Sequence, residues 1–229
     1  MADRGRITTA VIPVAGLGTR MAALAVDGCK ELIEVGGISM LERTVFELEQ
    51  AGLERIIAVS SPAKPALDAA CAELNVEVVH QIEANGLVDA VLCAAVEGPV
   101  LVALPDVLMP DLNVSSALLQ RHSGGTMLAT VKASEPWCQM LTDTGRVLEL
   151  EEDRILAFAD KDKESPFPEG EIRIIGRYIW SAEFFEHAHL GELEALRQLE
   201  ILHACPVKTA YIDVGNPVGY AYAQSIFNQ

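Results

Sequence analysis

Residues 6–20 read RITTAVIPVAGLGTR, and they decide the fold because an apolar strand runs there straight into a glycine-rich loop. The apolar run from Arg6 to Val14 predicts a fully buried β-strand. Gly16 and Gly18 follow at once, and closely spaced glycines after such a strand let the backbone approach a polyphosphate. Arg20 adds a cation that can bind phosphate oxygens in a bidentate manner. This stretch therefore predicts a phosphate-binding loop at the carboxyl end of the first strand of an α/β sheet.

The rest of the chain alternates between strand and helix periods, which indicates successive βαβ units. Strands are predicted at residues 6–14, 55–60, 76–79, 100–104, 126–132, 146–151, 155–159, 171–180 and 208–212. Helices are predicted at residues 38–50, 62–74, 86–96, 114–122, 182–187, 192–203 and 217–227. We therefore expect an α/β fold, with a Rossmann-like open, mostly parallel sheet flanked by helices. Residues 1–229 are predicted to form one domain, with a nucleotide-binding half at 1–104 and a metal- and sugar-binding half at 105–229.

Composition narrows the classes of partner. The chain carries 17 Lys and Arg against 33 Asp and Glu, a formal net charge of −16. Such a charge repels phosphate backbones, so we expect neither nucleic-acid polymers nor anionic membranes as partners. No apolar run approaches the roughly 18 residues of a membrane span, and a cytoplasmic location is predicted. The five cysteines are scattered without a CxxC pair, which favours reduced thiols over a disulfide framework or a cysteine-rich zinc site.

Two common nucleotide-binding motifs do not fit the glycine-rich loop. A dinucleotide fingerprint needs a third small residue, where Met21 stands, and an acidic residue after the second strand, where residues 59–61 read VSS. A Walker loop needs Gly-Lys-Ser/Thr, which the loop lacks. A Rossmann oxidoreductase is therefore only a third-ranked alternative.

Residues 10–21, AVIPVAGLGTRM, resemble the opening motif of the sugar-1-phosphate nucleotidyltransferases, in particular of the members that form UDP-glucose. The resemblance implies a nucleotide-diphospho-sugar transferase fold. It also implies that the backbone of Ala15 and Gly16 meets the base. Gly18, Thr19 and Arg20 would meet the triphosphate.

Two further segments are similar to motifs of that family. Residues 29–32, CKEL, resemble a Pro-Lys-Glu-Leu segment whose lysine contacts phosphate, which makes Lys30 a candidate for stabilising charge on the reacting phosphate. Residues 81–94 resemble a Gln-x-x-x-x-Gly-Leu-x-x-Ala-Val segment. Gln81 is a candidate for reading the edge of uracil, and Gly86 for letting the base or ribose come close.

A pair of aspartates is the predicted metal site. Asp106 follows a buried strand in an LPDV run that matches the family, and Asp213 stands in a segment similar to the family's Asp-x-Gly-x-x-x-Gly-Tyr. Mg²⁺ takes one or two protein carboxylates together with substrate phosphates and water. Taken alone, Asp213 is equally readable as a residue near a helix N-cap. Together the two predict a magnesium pair.

The resemblance implies three residues on the sugar side. Gly176, within a Gly-Arg-Tyr segment, would let the sugar ring approach the backbone. Lys161 stands where the family carries Glu-Lys-Pro and is the candidate for the sugar phosphate. Glu192 aligns with a glutamate that holds sugar hydroxyls, and it is equally readable as an exposed residue in a first helical turn.

The function implied by the resemblance is a Mg²⁺-dependent transfer. UTP and a sugar 1-phosphate, most of all glucose 1-phosphate, would give a UDP-sugar and pyrophosphate in one in-line displacement. Alternatives are the same chemistry on N-acetylmuramic acid 1-phosphate or with dTTP, and a catalytically silent domain that binds nucleotide sugars. The replacement of the family's prolines by Cys29 and Asp162 leaves that silent domain open. A homo-oligomer is a further possibility that the sequence leaves open.

Overall fold

The computed structural model describes residues 6–133, 144–162 and 168–227. The strands are β1 Thr9–Pro13, β2 Glu34–Val35, β3 Ile38–Ser39, β4 Arg55–Ser60, β5 Glu77–His80, β6 Val100–Ala103, β7 Val107–Leu108, β8 Thr126–Lys132, β9 Thr144–Glu151, β10 Arg154–Asp162, β11 Ile172–Trp180, β12 Leu202–Pro206 and β13 Ile212–Asp213. The helices are α1 Met40–Gln50, α2 Pro65–Glu73, α3 Leu87–Cys93, α4 Val114–Arg121, α5 Ala182–Glu186, α6 Glu192–Gln198 and α7 Pro217–Phe227.

The main sheet has nine strands in the order β5-β4-β1-β6-β11-β8-β12-β10-β9. Its first four strands are parallel, with Thr9 opposite Arg55 and Ala10 opposite Leu101. This half is the βαβ arrangement that the sequence predicts, and the open α/β fold is confirmed. The other half is mixed, because β11 runs antiparallel to both of its neighbours while β12 is parallel to β8. The expectation of a mostly parallel sheet holds only for the first half.

Helices cover both faces of the sheet. Alternate residues of β1 point to opposite sides, so that Ile12 belongs to the core cluster shared with α1, α2 and α4, whereas Val11 belongs to the cluster shared with α3, α5 and α6. The last helix, α7, packs instead against β2 and β13 through Ala223. The loops at the carboxyl ends of the parallel strands remain uncovered, which is where open α/β sheets bind ligands.

Two predicted elements near the C-terminus are wrong. The predicted helix 192–203 ends at Gln198, and Leu202–Pro206 forms strand β12. The predicted strand 208–212 is replaced by this strand and by the short strand Ile212–Asp213. Leu202, Ala204 and Cys205 are buried in this strand, and pairing with β8 outweighs the local helical pattern.

None of the helices in the described ranges has the length and hydropathy of a membrane span.

Candidate active site

A cavity of about 430 Å³ opens at the carboxyl ends of β1, β5 and β6. It brings together these predicted residues: Ala15, Gly16, Gly18, Thr19, Lys30, Gln81, Gly86 and Asp106. A larger cavity of about 620 Å³ lies at the amino ends of the parallel strands and contains none of the predicted site residues. Convergent polar groups at the carboxyl edge, rather than size, identify the smaller cavity as the candidate site.

The glycine-rich loop turns sharply at Gly18. This residue has φ 60° and ψ 27°, a left-handed conformation that favours glycine, and a short 3₁₀ turn at Thr19–Met21 follows it. A Cβ at Gly18 would lie 3.3 Å from Cγ of Lys30. At Gly16, by contrast, a Cβ would meet no described atom within 4 Å. Gly18 therefore allows the sharp turn of the loop and leaves room for the side chain of Lys30. The space beside Gly16 is open to a ligand.

Lys30 and Asp106 form the charged centre of the cavity. Nζ of Lys30 lies 2.6 Å from Oδ2 of Asp106, and the two side chains are 18% and 28% exposed. Burial alone would raise the pKa of Asp106, but the charge and hydrogen bond of Lys30, together with the charge of Arg20, lower it. Burial likewise opposes the charged form of Lys30, yet Asp106 raises the pKa of the lysine. Both groups are therefore ionised near neutral pH.

Asp213 is brought to Asp106 by the small ladder between β7 and β13. Asp213 lies opposite Val107, and the Val214 amide donates to the carbonyl oxygen of Asp106 over 3.0 Å. A Cβ built on Gly215 would lie 3.0 Å from Oδ1 of Asp213 and 3.1 Å from Oδ2 of Asp106. The two oxygens thus flank one point, about 6 Å or less from each other.

This pair fits a hard divalent cation. The donors are carboxylate oxygens, the ligands that Mg²⁺ prefers, and one or two of them suffice when phosphates complete the shell. The described ranges contain no group of three or more His, Cys, Asp and Glu side chains placed to hold a metal. A metal at Asp106 and Asp213 would therefore take its remaining ligands from substrate phosphates and water.

The predicted sugar-side residues Gly176, Glu192 and Lys161 lie on β11, α6 and β10. At Gly176 a Cβ would lie 2.9 Å from Cβ of Leu104, so close packing of β11 on the end of β6 already requires a glycine. Glu192 is the first residue of α6 and does not line the 430 Å³ cavity. Lys161 lies in β10, and its side chain is outside the described part. Sugar contacts for these three residues stay predictions.

Two buried ion pairs behind the site are absent from the predictions. The first joins Lys64 to Glu31, with Nζ 3.0 Å from Oε2, and the same Nζ donates to the carbonyl oxygen of Val14 over 2.7 Å. It ties the start of the glycine-rich loop to the residue next to Lys30. Nothing in the sequence marks Lys64, because its partners are 33 and 50 residues away.

The second pair joins Arg177 on β11 to Glu47 on α1, with Nη2 2.6 Å from Oε2. Arg177 also donates to the carbonyl oxygen of Leu104 over 2.7 Å, and Ser115 donates to Glu47 over 2.6 Å. Leu104 is two residues before Asp106, so this pair fixes the backbone that carries the carboxylate. A signal was available here, because Glu47 is a charged residue on the apolar face of an amphipathic helix.

Comparison with known proteins identifies the family of this chain. Residues 10–222 match the MobA-like NTP transferase domain. A UTP-glucose-1-phosphate uridylyltransferase of Haemophilus ducreyi is 26% identical, with 93% of this chain and 90% of that protein covered. Its counterpart in Salmonella typhimurium is 24% identical, with 85% and 80% covered.

Solved structures share the fold. A UDP-glucose pyrophosphorylase complexed with UDP-glucose superposes with a TM-score of 0.79 at 21% identity, covering 97% of this chain and 98% of that one. An inositol-1-phosphate CTP transferase from T. maritima superposes with a TM-score of 0.76 at 15% identity, covering 99% and 98%.

Proposed function

The chain belongs to the MobA-like NTP transferase domain family, and from this premise we propose that it joins UTP to a sugar 1-phosphate, glucose 1-phosphate above others, and releases pyrophosphate. One observation carries the proposal. The carboxylates of Asp106 and Asp213 flank one point beside Lys30, at the edge of the cavity that the glycine-rich loop lines. The relatives named UTP-glucose-1-phosphate uridylyltransferase favour uridine and glucose among the possible substrates.

In the proposed reaction, an oxygen of the sugar phosphate attacks the α-phosphorus of UTP. The bond between the α-phosphorus and the oxygen that bridges to the β-phosphorus breaks, and pyrophosphate leaves with the electron pair. Charge on the transferring group and on the leaving pyrophosphate has to be stabilised, which is the main task of a protein in such a transfer. Mg²⁺ held by Asp106 and Asp213 would supply part of that stabilisation.

The cations of the chain supply the remainder. Nζ of Lys30 carries three protons and uses one on Asp106, so it can also donate to a phosphate oxygen without leaving the carboxylate. Arg20 follows the glycine-rich loop, close enough to act electrostatically on Asp106. Gly16 offers open space where a base can lie against the backbone. The nucleotide thus has a place for its base and for its phosphates.

The second half of the chain is assigned to the sugar. Lys161 would anchor the sugar phosphate, and Gly176 and Glu192 would contact the sugar ring, as their family positions imply. Residues 1–104 then form the nucleotide half and 105–229 the metal and sugar half. A cytoplasmic location is part of the same proposal.

The test is pyrophosphate release with Mg²⁺ across UTP, dTTP, CTP, ATP and GTP, each paired with the 1-phosphates of glucose, galactose, N-acetylglucosamine and N-acetylmuramic acid. We expect UTP with glucose 1-phosphate to dominate. If dTTP or N-acetylmuramic acid 1-phosphate gives the highest rate, the assigned substrates change but the proposed reaction stays the same. Silence in every well, with nucleotide-sugar binding by calorimetry, would establish the silent binding domain instead.

The Asp106→Asn variant tests the site itself. We expect turnover to fall by about 100-fold or more, because a charged ligand at the reacting phosphates is lost. Oδ1 of the asparagine still accepts from Lys30, so the fold should be retained. Asp111→Asn, an exposed aspartate five residues further on, is the matched control. Near-wild-type rates for Asp106→Asn with Mg²⁺ would overturn the assignment.

A further inference from the structure

The side-chain amide of Gln81 has a fixed orientation. Gln81 directly follows β5 and is only 4% exposed. Its Nε2 donates to the carbonyl oxygen of Gly86 over 3.2 Å and to Oδ2 of Asp89 over 2.6 Å. A carbonyl oxygen and a carboxylate can only accept, so the NH₂ end of the amide has to face both of them.

The opposite end of the amide, the oxygen Oε1, therefore faces the cavity. Gln81 lines the 430 Å³ cavity together with Ala15 and Gly16. Within the described ranges no donor forms a hydrogen bond with its Oε1. This oxygen is not fully buried, so a ligand in the cavity can reach it. An acceptor on a buried, oriented side chain thus faces the space that the proposed function gives to the base.

We propose that Asp89 is a positioning residue that, through Gln81, selects a pyrimidine with an imide N3–H, uracil or thymine, over cytosine. This inference rests on the proposed function and deepens it. In uracil and thymine N3 carries a proton that Oε1 can accept. In cytosine N3 carries a lone pair, which would meet the lone pairs of Oε1. A site built to accept a hydrogen bond rejects an analogue that cannot donate it.

Asp89 contributes more than Gly86 to fixing the orientation of the Gln81 amide. The contact to Asp89 is 0.6 Å shorter than the contact to Gly86, and its acceptor is a carboxylate, which makes the stronger hydrogen bond. Asp89 is held in place by the first turn of α3, whose apolar face is buried through Val88 and Val91. Without the carboxylate, only the longer contact opposes rotation of the amide.

The test compares Asp89→Leu, which removes the acceptor, with Asp89→Asn, which removes the charge and keeps an acceptor in Oδ1. Glu83→Gln, at an exposed residue of the loop between β5 and α3, controls for loss of a negative charge near the cavity. Binding of UTP and of CTP is measured by calorimetry without sugar, and kcat and KM are measured for both nucleotides. Asp89→Ala provides a smaller replacement if the leucine variant does not fold.

We expect Asp89→Leu to lower the preference for UTP over CTP by about tenfold, the effect of one hydrogen bond. The change should appear mainly in KM and the dissociation constant, because the base does not touch the reacting atoms. Asp89→Asn should keep most of the preference, and Glu83→Gln all of it. A folded Asp89→Leu or Asp89→Ala with the wild-type preference would overturn the proposal, as would an asparagine variant that loses as much as the leucine variant.

The two proposals fail separately. Binding that prefers UTP and depends on Asp89, without turnover on any sugar phosphate, would refute the proposed function alone. Turnover of UTP with an unchanged preference in Asp89→Leu would refute the role of Asp89 alone. A wild-type chain that binds UTP and CTP equally would also refute it.

Discussion

Gly215 is the residue at which the geometry of the two aspartates is set. Its amide donates to Oδ1 of Asp213 over 2.8 Å, and the place of its missing side chain lies between that oxygen and Oδ2 of Asp106. Its backbone is not in the left-handed region, so the reason for a glycine here is space rather than conformation. A side chain at this position would occupy the point that the two carboxylates share.

Gly215→Ala is therefore expected to damage the site without unfolding the chain. A methyl group about 3 Å from both oxygens would push the carboxylates aside, which should weaken activation by Mg²⁺ and lower kcat about tenfold or more. The free energy of unfolding should change by about 1 kcal/mol or less, because alanine can adopt this backbone. Titration of the rate with Mg²⁺ and urea unfolding check both statements. Gly145→Ala in β9 is the matched control, and equal Mg²⁺ dependence in the two variants would contradict the expectation.

At the scale of elements, the Glu47–Arg177 pair connects α1, β11 and the end of β6. Burial alone would raise the pKa of Glu47, but the Arg177 guanidinium and hydrogen bonds from Arg177 and Ser115 outweigh it and lower this pKa. A carboxylate whose pKa is lower in the folded than in the unfolded chain stabilises the fold above its unfolded pKa. That contribution is lost as pH falls through the folded value.

Acid unfolding should reveal this contribution. In the wild type the Glu47 pair stabilises the fold fully at neutral pH and loses its effect as pH falls below about 4.3, the ordinary value for a glutamate. Glu47→Gln should be less stable at pH 7 by about 3–5 kcal/mol, since the Arg177 charge is left buried without its carboxylate. The stability curves of variant and wild type should converge toward low pH in urea unfolding. Glu49→Gln, exposed on the same helix, should run parallel to the wild type, and a parallel curve for Glu47→Gln would refute the account.

Elements with a strong period were predictable from the sequence, and long-range partners were not. The strand Arg55–Ser60 and the helix Pro217–Phe227 agree residue for residue, because apolar pattern, proline and flanking turn residues all favour one structure. The end of α6 was mispredicted, because only the presence of β8 makes a strand of Leu202–Pro206. The glycine-rich loop after β1 was predictable from the strand and its glycines, whereas Lys30, Gln81 and Asp106 were singled out through the family resemblance. The Glu47–Arg177 pair spans 130 residues and leaves no local trace of its partner.

At the scale of the whole molecule, a chain with a net charge of −16 is proposed to bind polyanionic substrates. The field of the whole protein opposes the approach of a nucleoside triphosphate, and Lys30 and Arg20 offset it only locally. Acidic residues in excess also repel each other in the compact state, which lowers the stability of the fold. The same surplus of charge therefore acts on binding and on folding, and both effects weaken as salt shortens the range of the field.

Salt should consequently stabilise this protein. The Debye length falls from about 30 Å at 0.01 M to about 8 Å at 0.15 M ionic strength, which screens repulsion among distant surface charges. Surface ion pairs such as Arg55–Glu77 contribute little to stability, so little is lost when salt screens them. The buried ion pairs of Glu31 and Glu47 are screened far less. Salt therefore weakens the repulsion between surface charges more than it weakens the attraction within ion pairs. We expect Tm to rise by about 2–4 °C from 10 to 150 mM NaCl, followed by circular dichroism. Choline chloride should act like NaCl if the effect is screening, whereas a Tm that falls with both salts would show that attractive ion pairs dominate the electrostatics of the fold.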